Sequence, residues 1–176
     1  MFVKLALRDA LTLVLAVGLW WWISGFSSDD GMLGDFVGFV AGLALTACAF
    51  IAHEWGHLFG GFLSRSVVYP ASRLKSRFVF SFDSKKNSRG QFLIMSAGGF
   101  IATGLALWAV YGLLPDAQLA TRVARGGVLF LAFLGVILEL PLVAWSLLRS
   151  DLPPVETFRP EVEAPQPPLE EATNPT

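Results

Sequence analysis

Apolar residues gather into four long blocks, Ala10 to Phe26, Phe36 to Leu63, Phe92 to Leu114 and Val128 to Leu148, separated by short polar stretches. A helix needs roughly 20 mostly apolar residues to cross a hydrocarbon core, and each block is near or above that length. The pattern predicts an all-α integral membrane protein with about four transmembrane helices, residues 1–150 forming the membrane-embedded domain. The first block reads as a retained span, because no small-residue cleavage site follows it and Trp20, Trp21 and Trp22 suit an interfacial anchor.

Periodicity changes between the second and third blocks. Arg77-Phe78-Val79-Phe80-Ser81-Phe82 alternates polar and apolar residues ahead of a turn-like Lys85-Lys86-Asn87-Ser88. This predicts a strand, half of a short β-hairpin-like cytoplasmic loop at the membrane surface. From Asp151 onward, seven of the ten prolines mix with Glu156, Glu161, Glu163, Glu170 and Glu171. Such a composition cannot bury a core, so residues 151–176 are expected to form a disordered acidic tail. Within the second block, Gly34, Gly38, Gly42 and Thr46 recur every four residues, a small-residue stripe along which another helix can approach.

Composition supports the membrane reading: 54% of the 176 residues are hydrophobic and only 15% charged. So little polar surface cannot enclose that much apolar material in water, and the lipid bilayer is the expected surrounding. The net charge of -1 hides an uneven distribution, since seven of thirteen Lys and Arg residues lie between Arg65 and Arg89. That cluster adjoins a span, so topology accounts for it and nucleic acid is not an expected partner. Lys4 and Arg8 precede the first span, while Asp29, Asp30 and Asp35 follow it. Together with the basic loop, these place both termini in the cytoplasm of a multi-pass protein; Arg122 and Arg125, on the opposite side, are outnumbered. Cys48 is the only cysteine, which excludes an internal disulfide and a multi-cysteine metal site.

The candidate chemistry lies in His53-Glu54-Trp55-Gly56-His57, inside the second apolar block. Two imidazoles four residues apart share a helix face and can bind one Zn²⁺ ion, with the adjacent Glu54 free to accept a proton from water as a catalytic base. These are the chain's only histidines, and ionisable groups inside a span are costly and usually functional. A catalytic zinc normally has a third protein ligand. Glu139 and Asp151 are the candidates, and Glu139 is favoured because it alone interrupts the last apolar block. At ~1.5 Å per residue, His57 and His53 lie ~12 and ~18 Å from Arg65, and Glu139 lies ~15 Å from Arg149, so the depths agree. Asp151 lies beyond Arg149, at the membrane surface. Pro141 is expected to kink the last helix and aim the Glu139 carboxylate.

These residues resemble the site-2 protease family of intramembrane zinc metalloproteases, in which a His-Glu-x-x-His helix precedes a loop with short strands and a span opening on a Gly-Pro-rich motif. Arg89-Gly90-Gln91-Phe92-Leu93-Ile94-Met95-Ser96-Ala97-Gly98-Gly99-Phe100 is similar to that opening, and the resemblance covers roughly Ala41 to Thr103. It implies zinc binding by His53 and His57, catalysis by Glu54 and a membrane-protein substrate cut in a membrane-spanning or membrane-adjacent segment. The chain departs from the family pattern at Gly99, where proline is usual, in lacking the asparagine that often follows, and in having no Leu-Asp-Gly sequence. A substrate helix must unwind before cleavage, and a strand around Phe78 to Phe82 could hold it by edge pairing, or else rest on lipid as an amphipathic segment. The alternative to a protease is a catalytically inactive, metal-binding membrane adaptor or chaperone; zinc transport ranks below both, since it needs a longer polar path.

Overall fold

The computed structural model describes residues 1–24, 31–149 and 151–153. Four helices occur in these segments: α1 (Phe2–Ile23), α2 (Gly31–Leu63), α3 (Arg89–Gly112) and α4 (Leu119–Leu148). Between α2 and α3 lies a two-stranded antiparallel sheet of β1 (Val68–Pro70) and β2 (Phe80–Phe82). Three helices, α2, α3 and α4, are long and apolar enough to cross a membrane. The expected disordered tail lies outside the described residues, apart from residues 151–153.

Helix boundaries run beyond the apolar blocks because charged residues find partners at the ends. In α1, Arg8 Nε donates to Asp9 Oδ1 at 2.7 Å, and Asp9, only 3% exposed, accepts from Trp55 Nε1 at 2.8 Å. Arg8 also donates to the Leu74 and Ser76 carbonyls, tying α1 to the loop that leads into β2. Helix α4 begins nine residues before Val128, at Leu119, and takes in Arg122 and Arg125. Arg125 pairs with Asp116 and donates to the Val110, Tyr111 and Leu114 carbonyls, satisfying acceptors at the C-terminal end of α3. A capping box formed by Ser88 and Gln91 starts α3 three residues ahead of Phe92.

Helix α2 ends in a Schellman arrangement: Ser66 N–H donates to Gly61 O, Arg65 N–H to Phe62 O, and Arg65 takes a φ of 55°. Gln91 Nε2 donates to the Ser64 and Arg65 carbonyls, so one side chain caps the end of α2 and the start of α3. This fixes the crossing of the two helices just beyond the His-Glu-x-x-His turns.

Close helix contact follows the glycines. A methyl group on Gly42 would run into Val123 and the Ala120 carbonyl, and one on Gly127 into Thr46, so the stripe on α2 seats the N-terminal half of α4. A second small-residue row, Gly56 and Gly60, meets Gly98, Ile94 and Met95 of α3 backbone to backbone. The outward sides carry exposed apolar residues, among them Ile101, Leu105 and Trp108 on α3 and Leu129, Phe130 and Phe133 on α4.

The strand expected in this loop is present as β2, half of an antiparallel pair. The partner of β2 lies upstream, at Val68–Pro70, whereas the Lys85–Asn87 turn leads into α3. Phe80, Ser81 and Phe82 are all buried, so both faces of β2 are covered. The segment after α4 contributes to the packing: Leu152 joins the cluster around Val79, Phe80 and Phe82, Pro153 is buried, and the Pro153 carbonyl accepts from the Ser84 hydroxyl at 3.2 Å.

Candidate metal centre

His53 and His57 lie on successive turns of α2 and face α3 and α4. On the α3 side, Met95, Gly99 and Thr103 recur every four residues and present hydrogen-bonding atoms to the two rings. His57 Nδ1 is 3.0 Å from the Met95 carbonyl; His53 Nδ1 is 3.1 Å from the Gly99 carbonyl and 2.8 Å from Thr103 Oγ1. A carbonyl can only accept, so this network places a proton on Nδ1 of each ring, and in the neutral imidazole the Nε2 lone pair is then free.

Both lone pairs converge on the same spot. The Nε2 atoms are 3.0 Å apart. Glu139 of α4 adds its carboxylate, with Oε1 2.7 Å from His53 Nε2 and Oε2 3.2 Å from His57 Nε2. Oε2 is buried and has no hydrogen-bond partner among the described residues. In this tautomeric state three acceptors point at one another with no proton between them, an arrangement that a cation relieves. Tetrahedral zinc with bonds of about 2.0–2.1 Å would set its ligands about 3.3 Å apart, close to the observed spacings. Among the described residues, His53, His57 and Glu139 form a group whose ligand atoms all lie within 4.8 Å of one another and could hold a metal ion. Asp151 is exposed and outside this group, so the carboxylate that joins the histidines is Glu139. Helix α4 continues through Pro141 to Leu148.

Gly99 has a steric reason to be glycine. A Cβ there would overlap the His57 ring, so any larger residue would push the imidazole out of its position. The His57 ring thus packs directly on the α3 backbone. Glu54, the residue after His53, is buried beside the centre, with the Val79 backbone within hydrogen-bonding reach of its carboxylate. It is not part of the ligand group, which leaves it available to exchange protons.

Two cavities border the centre and share Glu54, Phe78, Glu139 and Leu142. One, of about 130 Å³, is lined by His57 and by Phe78, Phe80, Phe82, Phe92 and Met95. The other, of about 560 Å³, extends from His53 between α2, α3 and α4. Strand β2 thus turns its row of phenylalanine side chains toward the centre.

Comparison with known protein families, curated proteins and solved structures returned no match.

Proposed function

We propose that this chain is an intramembrane zinc metalloprotease of the kind the sequence resembles, hydrolysing peptide bonds in membrane-spanning or membrane-adjacent segments of other proteins. The observation that carries this reading is the convergence of His53 Nε2, His57 Nε2 and the Glu139 carboxylate beside a fourth, uncommitted acidic group, Glu54. All four lie on helices apolar enough to cross a membrane. Helix α1 is taken as a fourth span, with both termini and the hairpin on the cytoplasmic side.

His53, His57 and Glu139 would hold the ion, and Thr103, Gly99 and Met95 fix the rings through Nδ1. Zinc held there would supply Lewis acidity toward a water molecule and the scissile carbonyl. Glu54 accepts a proton from the attacking water as the carbon–oxygen bond forms, then delivers it to the departing amide nitrogen as the carbon–nitrogen bond breaks. Phe78, Phe80 and Phe82 limit bulk water at the reacting groups. An uncommitted base beside the ligands is what separates this reading from a site that only stores metal.

The test is to purify the full chain, measure bound metal, and compare cleavage of co-expressed membrane-protein fragments by wild type and Glu54→Gln. The variant should keep its zinc and lose about 10²–10⁴-fold in cleavage rate. Equal behaviour of the two proteins would instead support the inactive adaptor. Glu139→Ala should lower metal content sharply, whereas Asp151→Ala should leave it unchanged; the reverse result would reassign the third ligand.

A further inference from the structure

The two cavities that meet at Glu54 and Glu139 differ in size and in their walls. The smaller, about 130 Å³, is lined by aromatic rings from β2 and α3 and has space for little more than one small side chain. The larger, about 560 Å³, falls in the range of ligand-binding pockets and is walled by aliphatic residues, Ala106, Leu131 and Leu134 among them. Two polar side chains line it apart from the centre itself. Thr103 is engaged by His53. Arg77 is exposed and has no hydrogen bond or ion pair among the described residues; Arg73 and Lys75 of the same loop are likewise unpaired, but only Arg77 of the three lines this cavity.

Building on the protease reading, we infer that the larger cavity is the subsite for a bulky apolar stretch on one side of the cleaved bond, and that the smaller one takes a small residue on the other side. Arg77 then receives an acidic residue where the bulky stretch leaves the cavity. An aliphatic wall offers a peptide no hydrogen bonds, so binding there rests on removal of apolar side chains from water. An unpaired guanidinium at such a wall matches a carboxylate, which it can grip through two parallel hydrogen bonds.

The experiment uses one co-expressed membrane segment in matched versions, with leucines or alanines in the stretch beside the scissile bond and Glu or Lys following it. Wild type should favour the leucine version by about 10–200-fold, the scale on which an apolar pocket discriminates size. Ala106→Phe fills the large cavity and should collapse that ratio toward one with zinc content unchanged. Leu134→Ala widens the cavity and should shift preference toward phenylalanine-containing stretches, which gives a second readout if the filled variant folds poorly. Arg77→Glu should reverse the choice between Glu and Lys. An unchanged leucine-to-alanine ratio in both cavity variants overturns the subsite assignment. So does release of a co-purified lipid by Ala106→Phe with cleavage unaltered, which would make the cavity a lipid site. If wild type carries zinc and cleaves no version, the protease reading itself fails, a result distinct from cleavage without preference.

Discussion

At the level of His53 and His57, α2 has two unlike sides. Toward α3, Gly56 and Gly60 lie against Gly98, Ile94 and Met95 with no space for a methyl group. Toward α4, the same turns border a cavity of about 560 Å³. Glu139 reaches across on this open side. The contrast teaches a division of labour: the dense side holds the imidazoles in one orientation, and the hollow side leaves open space beside the Glu139 carboxylate. Interiors packed at crystal-like density transmit any added volume as displacement, so a ring resting on backbone is held more firmly than one resting on flexible side chains.

Substitutions of graded size should expose that contrast. The largest effect is expected on the dense side, from Gly99→Ala, whose methyl group overlaps the His57 ring. Overpacking of this kind typically costs about 1–3 kcal/mol. The ring displacement should also lower metal affinity by more than about 100-fold, beyond the usual effect of losing a supporting contact. Metal titration of the purified variant checks this, and near-normal affinity would show that the α3 backbone does not set the ring position. A smaller effect is expected from Thr103→Val, which removes the hydroxyl on His53 Nδ1 but leaves the Gly99 carbonyl, and metal affinity should fall about tenfold. The smallest is Gly135→Ala on the open side, where an added methyl would meet only Glu139 Oε1, at 3.7 Å. Folding stability should change by no more than about 0.5 kcal/mol, with metal content unaltered. A loss comparable to that of Gly99→Ala would show that the two sides are equally constrained.

The apolar blocks revealed α2, α3 and α4 because long hydrophobic runs and the spacing of His53 and His57 are local signals. Depth counting also brought Glu139 to the level of the histidines, since helical rise is nearly constant. Helix ends were less legible. Arg125 reads as a polar residue outside a span, yet it pairs with Asp116 and carbonyls at the end of α3, so the helix continues through it. Strand β1 is only three residues long and its pairing with Phe80–Phe82 is non-local, so no periodicity marks it. The groups that orient the rings went unseen for another reason. Two of them are backbone carbonyls, at Met95 and Gly99, which any residue type could supply. Even so, the four-residue spacing of Met95, Gly99 and Thr103 echoes that of the histidines and could have pointed to the face of α3 that meets them.

The return of residues 151–153 to the hairpin bears on where this molecule tolerates being cut. A protease nicking the chain just after Ser150 would remove Leu152 and Pro153 from the packing beneath β2 and release the Ser84 hydroxyl, weakening the roof over the phenylalanines. A nick a few residues later would leave that strap in place. Limited digestion followed by a stability measurement should therefore distinguish a cut before Leu152 from one after Pro153.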